Sequence, residues 1–375
     1  AALALGQDVA PGAAAALARI ALLENDLDTA GGWLARAADQ GTPAAALAPW
    51  ALEYALRRRD FAAAAQAAAN GGDPAAAAYW DQLAGLQTYR IEGAPCVAPL
   101  ACTDPLPVLE VRINGVAARL LVDTAADHVL LDQDLAPRVR AMSAGVGNPA
   151  LFAGGARTLQ NGWVETLELA GWSLGAVPVQ ILSLRALFQE FAGAAIDGVL
   201  GMRVLSLFRL RLDYRVGTLE LLRRPAATLS AGRPLWLGPG GLPLTGMILN
   251  GHYAALGLLD SGCMGLALAA RAAVLHPATR QQALAAGGGG LTAVAPTTLR
   301  RLEAAGAVQE DAPAAALADF PLAHRFGFCV DGLIGHLFLR QGALELDFDC
   351  MRVLLDSSRD KQALSPARNQ GEGGR

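Results

Sequence analysis

No run of 18 or more strongly apolar residues occurs in the 375-residue chain, although 53% of it is hydrophobic, a fraction inflated by alanine. A transmembrane helix is therefore not expected, because a bilayer crossing takes about 20 consecutive apolar residues. Nor is there a basic stripe. Lys and Arg total 30 against 34 Asp and Glu, the net charge is −4 and the pI is near 5.8, which argues against a nucleic-acid partner. The five histidines, His128, His252, His276, His324 and His336, lack ligand spacing of the H-E-x-x-H kind, so no metal and no cofactor is expected. Gly287-Gly288-Gly289-Gly290 lacks the strand-to-helix context of a phosphate cradle and reads as a flexible loop.

Cysteine is sparse, with five in the chain. Cys96 and Cys102 flank a proline-rich stretch, and Cys329 and Cys350 stand where they can face each other across strands, leaving Cys263 over. Five unpaired cysteines is the other reading. No histidine is placed to activate Cys263 as a nucleophile. The opening Ala1-Ala2-Leu3 lacks methionine, which fits a trimmed chain or a mature one whose signal segment has been removed. Together these features suggest a periplasmic or secreted protein, with a cytoplasmic one as the alternative.

Residues 1–91 read as helices, because apolar residues recur at a 3.6 spacing, strand formers are scarce, and breakers fall at Gly41-Thr42-Pro43 and Gly71-Gly72-Asp73-Pro74. Asp26-Leu27 and Asp60-Phe61 each open a helix-like run, 34 residues apart, which is the tetratricopeptide period. A tetratricopeptide-like array, or else a generic helical bundle, would bind a protein partner or pack, without chemistry of its own. Residues 92–106, rich in Gly, Pro and Cys, read as a linker. Strands then begin at Val108-Leu109-Glu110-Val111-Arg112-Ile113, and Asn114-Gly115 supplies a hairpin turn. The polar stretch 358–375 is expected to be disordered.

One pattern occurs twice. Leu120-Leu121-Val122-Asp123-Thr124-Ala125 returns as Gly257-Leu258-Leu259-Asp260-Ser261-Gly262: an apolar strand, an acid, a hydroxyl and a small residue. Each copy follows an Asn-Gly turn signal, at Asn114-Gly115 and Asn250-Gly251, and precedes an apolar segment ending in glycine, Val199-Leu200-Gly201 or Leu333-Ile334-Gly335. The intervals agree: 197 − 123 = 74 against 331 − 260 = 71, then 213 − 197 = 16 and 347 − 331 = 16.

With these residues the chain resembles the aspartic peptidases, in which a retropepsin-like D-[ST]-G loop and its apolar-Gly partner occur in each half of a pepsin-like pair of lobes. The resemblance spans about residues 107–357. It implies a multidomain α and β protein: a helical N-terminal region followed by a two-lobed all-β barrel pair, with lobes at 107–230 and 231–357. It further implies an endopeptidase in which Asp123 and Asp260 share one proton and activate water, and both acids lie in one chain, so no dimer is required. Thr124 and Ser261 would hold the two loops in register. Ala125 and Gly262 would let backbone amides approach the acids, although Ala125 departs from the family's glycine. The methyl is tolerable if φ stays negative there.

The resemblance also points to Asp127 as a contact for the substrate backbone. Its expected arginine partner is displaced by one position, to Arg203. A lid hairpin is expected at Leu151-Phe152-Ala153-Gly154-Gly155-Ala156-Arg157, with Phe152, Gly154 and Gly155 meeting a peptide or protein substrate. The second half, lacking an aromatic at Gly287 to Leu291, is expected to have none. Asp197 and Asp331 read as turn residues, and Asp213 and Asp347 as solvated strand ends. Two other readings stay open: an inactive peptide-binding scaffold with a helical partner-binding region, favoured by Ala125, and an enzyme kept latent by the helices or the tail.

Overall fold

Three aspartates punctuate the N-terminal helices. In the computed structural model, which describes residues 12–147, 150–152, 155–185, 188, 195–226, 229, 231–273, 283–287, 290–317 and 327–358, Asp26, Asp60 and Asp73 accept hydrogen bonds from the amides of Thr29, Ala63 and Ala76 at 2.9–3.0 Å. Each satisfies a free N–H of the first turn, which is why the helices start there. They open α2 (Leu27–Asp39), α4 (Phe61–Asn70) and α5 (Pro74–Ala84). Two further helices, α1 (Ala13–Leu23) and α3 (Ala44–Arg58), complete this part. Buried alanines, among them Ala14, Ala18, Ala30, Ala37 and Ala64, let neighbouring helices approach closely.

From residue 97 onward, one set of strand pairings is made twice. The first half contains β1 (Val97–Cys102), β2 (Val108–Ile113), β3 (Val116–Val122), β4 (Val129–Asp132), β5 (Gln160–Leu169), β6 (Trp172–Leu182), β7 (Gly198–Leu200), β8 (Phe208–Asp213) and β9 (Thr218–Arg223). The second contains β10 (Arg233–Leu237), β11 (Pro243–Leu249), β12 (Tyr253–Leu259), β13 (Leu266–Ala269), β14 (Gly290–Ala304), β15 (Ala307–Leu317), β16 (Gly332–Ile334), β17 (Ala343–Asp347) and β18 (Arg352–Asp356). In the first half β2 pairs with β3, β3 with β7, β7 with β4, β4 with β6, β6 with β5, and β5 with β2, closing a ring. In the second, β11, β12, β16, β13, β15 and β14 close another in the same order. Closure leaves no open edge within either ring. Between them runs an antiparallel sheet in the order β1-β9-β8-β17-β18-β10, whose central pair β8–β17 joins the halves.

Local sequence explains the turns. Asn114 and Gly115, with φ of 49° and 79°, carry β2 into β3, and Asn250 and Gly251, with φ of 52° and 80°, follow β11. Such left-handed pairs match the twist of the strands they join. Less visible from sequence are the turns at Ala170-Gly171 and Ala305-Gly306, where alanine takes φ of 45° and 50°. Because of the latter, β14 ends at Ala304 and β15 starts at Ala307.

Three expectations change. Residues 92–106 are no free linker: a strand at Arg90–Gly93 pairs with β6, and β1 forms an edge of the central sheet, where Pro99 is tolerated. The helices pack, as one of their two expected roles has it: Ala55, Leu56, Phe61, Tyr79, Trp80 and Leu83 belong to the same core as β3, β12 and the central sheet. Burying each large member of that set is worth roughly 1.5–3 kcal/mol. Asp213 and Asp347 are buried, not solvated. Asp213 pairs with Arg211 at 3.0 Å, and Asp347 accepts from the amides of Leu229, Asp349 and Cys350. Finally, all five cysteines are free thiols, so Cys329 and Cys350 form no bridge. The expected tail lies outside the described residues beyond Ser358.

Candidate active site

Strands β3 and β12 end side by side, and the loop after each carries the acid. The amide of Asp123 donates to Leu200 O at 3.1 Å and that of Asp260 to Ile334 O at 3.0 Å, so each loop is hung from the apolar-Gly segment of its own half. The glycines closing those segments are needed for contact. A Cβ on Gly201 would stand 2.3 Å from His128 O, and one on Gly335 2.1 Å from Gly265 O.

Across the seam the hydroxyl residues interlock. Thr124 Oγ1 accepts from Ser261 N–H at 3.0 Å and donates to Leu259 O at 2.7 Å. Ser261 Oγ accepts from Thr124 N–H at 3.0 Å and donates to Val122 O at 2.7 Å. Both side chains are fully buried, where an unmade hydrogen bond is costly, so these four bonds fix the loops with respect to each other.

The lock brings the acid loops together, close enough for Asp123 and Asp260 to influence each other's ionisation. Ala125 and Ala126 amides donate to Asp123 Oδ1 at 2.8 and 3.2 Å, and the Gly262 amide donates to Asp260 Oδ1 at 3.0 Å. Ala125 keeps a non-positive φ, since it is absent from the left-handed residues, so its methyl costs the loop no strain. Gly262 has no such latitude: a Cβ there would lie 2.4 Å from Asp123 Cγ. Burial raises Asp123 to about 6 against the pull of the two amides. Burial, then the charge of Asp123, raises Asp260 well above the carboxylate range. Two acids this close cannot both ionise readily, so the pair retains a proton and titrates as a unit. Such a pair can take a proton from one atom and give one to another.

Tyr214, at the end of β8, lies buried within electrostatic reach of both acids. Its ring meets that of buried His336 edge-on, with centroids 5.2 Å apart. Cys263, next to Gly262, is an inert thiol: burial and the adjacent acid raise its pKa, and Sγ donates to Gly265 O at 3.3 Å.

The outer residues are placed differently. Asp127 Oδ1 lies 3.0 Å from His128 Nδ1. The Arg203 amide donates to Asp127 O, but its guanidinium goes to Glu53 of α3 at 3.2 Å. A hairpin forms at Ala150–Phe152 and Gly155–Arg157, with Phe152 opposite Gly155; Gly154 lies outside the described residues. Among the described residues no hydrogen bond joins this hairpin to the acids. A second hairpin, where no lid was expected, pairs Ala283–Gly287 with the start of β14. Asp197 and Asp331 are more than turn residues. They accept from the amides of Arg119 and Leu256 and pair with Arg185 and Arg271 at 2.6 and 2.7 Å. Sequence reading missed Glu53. Its only signal is the i,i+4 spacing to Arg57, which ordinarily marks an exposed helix pair.

Residues 109–204 match the family model described as Aspartyl protease, which supports an aspartic peptidase family for this part of the chain. The match holds Asp123 and ends before Asp260. No curated protein matches the chain. Several solved structures are similar to it, among them the following three. A retropepsin-like aspartic protease from Rickettsia conorii is 16% identical, over 36% of this chain and 93% of that one, with a TM-score of 0.26. Basic 7S globulin from soybean is 10% identical, over 70% and 94%, with a TM-score of 0.41. Conglutin gamma, a basic 7S globulin from lupine seeds, is 12% identical, over 70% and 94%, with a TM-score of 0.38.

Proposed function

We propose that the chain is an aspartic-type endopeptidase whose two lobes, arranged as in pepsin, each contribute one acid, Asp123 and Asp260. The observation that carries this reading is the reciprocal Thr124–Ser261 lock, which sets the loops of Asp123 and Asp260 side by side. A pair holding one proton has an ionised member to act as base and a protonated member to act as acid. The ionised acid takes a proton from water as its oxygen attacks the carbonyl carbon of a peptide bond. The other acid protonates the carbonyl oxygen, giving a gem-diol. The acid that took the water's proton passes it to the nitrogen, the C–N bond breaks to release a neutral amine, and a hydroxyl of the diol returns its proton to the other acid, leaving the carboxylic acid product and the starting pair.

In this reading Thr124 and Ser261 hold the acids at their working distance, and the Phe152–Gly155 hairpin covers a peptide held in extended form. Covering the cleft excludes water and strengthens the electrostatics within it. One chain supplies both acids, so no dimer is required to complete the pair.

The test is cleavage of a broad peptide pool by the purified chain from acid to neutral pH, with a statine-type transition-state mimic as inhibitor. Wild type is expected to cleave and to be inhibited. Asp123→Asn and Asp260→Asn are each expected to lose at least about 100-fold in kcat/KM. Equal cleavage by all three proteins overturns the assignment of the acids. Equal inertness favours a peptide-binding scaffold or a latent form.

A further inference from the structure

Glu53 is the most fully enclosed carboxylate of the helical region, 5% exposed. Its Oε1 meets Arg57 at 2.7 Å, and its Oε2 meets both Arg203 at 3.2 Å and the amide of Gly240 at 3.0 Å. Arg57 also donates to three main-chain carbonyls: Leu22 at the end of α1 at 2.5 Å, and Leu237 and Gly238 at 3.1 and 2.9 Å. Four separate segments thus converge on one buried cluster. Replacing such a cluster by apolar side chains is often neutral or stabilising, so stability alone gives little account of it.

Its connections lead to both acid loops. Arg203 sits in the short helix Met202–Leu205, whose amides at Met202 and Arg203 donate to Ala126 O and Asp127 O at 2.7 and 2.8 Å. Those carbonyls belong to the loop that carries Asp123. Gly240 lies in the turn Pro239–Gly241, which feeds β11, and β11 pairs along its length with β12, the strand that ends at Asp260. A second helical contact reinforces the first-half side: Trp80 of α5 stacks on His128, with centroids 6.3 Å apart, directly after the loop.

We propose that Glu53 is a positioning residue for the Asp123–Asp260 pair, and that the helical region is a brace spanning the supports of both acid loops. The proposal rests on the peptidase reading for its effect on turnover, but the brace itself can be measured without turnover.

The test uses the full chain carrying Glu53→Gln, which keeps the shape and removes the charge. Hydrogen exchange is read on peptides covering 118–128 and 256–263, with 164–169 in β5 as reference. Exchange is expected to rise roughly tenfold or more in both loop peptides and to stay unchanged in the reference. Turnover is expected to fall roughly tenfold or more, with KM within about threefold, the signature of a misplaced reacting group. Faster exchange confined to α1 and α3, or an unchanged kcat in a wild-type-active background, overturns the proposal. An inert wild type counts against an active peptidase, in favour of a scaffold or a latent form, and leaves exchange to decide the brace. If Glu53→Gln does not fold, Arg203→Lys keeps the charge, loses the Nη2 contact to Glu53 Oε2 and is read by the same criteria.

Discussion

Thr124 and Ser261 each accept the other's amide at 3.0 Å while donating to the carbonyl that precedes the partner's acid. A clasp of this kind ties the strands of the two halves at the point where Asp123 and Asp260 meet, and its loss is felt twice, in stability and in the geometry of the acids.

Replacing Thr124 by Val keeps the volume and removes the hydroxyl. Ser261 N–H and Leu259 O are then buried without a partner, and the expected cost is roughly 2–4 kcal/mol, read from urea unfolding. Thr124→Ser retains both bonds and is expected to stay within about 1 kcal/mol of wild type.

The small residues after the hydroxyls are not equivalent. Gly262→Ala puts a methyl into the Asp123 carboxyl and is expected to lower kcat/KM by roughly 100-fold or more, because about 1 Å of misplacement can cost that much. Ala125→Gly meets no such obstacle and is expected to leave kcat/KM within about fivefold. Parallel peptide assays on the two variants check the asymmetry.

Stability should carry two opposed pH slopes. Between 3.8 and about 6 for Asp123, and further for Asp260, the native acids hold protons that the unfolded chain has released, so stability falls as pH rises through that window. Buried His336 runs the other way. Its pKa is held down to about 4 by burial first and Arg340 second, so unfolding takes up a proton below 6.5 and stability falls as pH drops toward 4. The double variant Asp123→Asn, Asp260→Asn is expected to leave a urea midpoint that rises with pH across this range. His336→Gln is expected to leave one that falls. Midpoints measured in steps of pH for each protein give the signs.

Gly201 and Gly335 support the loops by close approach, with a Cβ at either meeting a carbonyl oxygen at 2.3 or 2.1 Å. Gly201→Ala and Gly335→Ala are each expected to destabilise by roughly 3 kcal/mol or more, or to prevent folding, as measured by thermal unfolding. Gly246→Ala, on β11 with open space around it, is the control, expected to change stability by less than about 1 kcal/mol.

Much of this was legible in the chain because it is local. An aspartate before an apolar run opened helices at Leu27, Phe61 and Pro74, and Asn-Gly marked the turns at 114 and 250. Where locality misled, the missing information was a distant partner. Asp213 and Asp347 looked like solvated ends until Arg211 and the amides of Leu229, Asp349 and Cys350 enclosed them. Gly and Pro around residue 99 suggested a linker, yet Thr218–Glu220 offered an edge for a strand to join.

By itself the sequence determined the repeated strand-acid-hydroxyl pattern and the periods of helix and strand, since these depend on side-chain alternation and on which residues tolerate a left-handed turn. Only the tertiary structure decided that Arg203 turns from Asp127 to Glu53, that the helices share one core with both halves, and that a side chain at Gly262 would meet the Asp123 carboxyl. A charge seeks its partner through space, and the separation of 203 − 53 = 150 positions carries no periodicity to announce the pair.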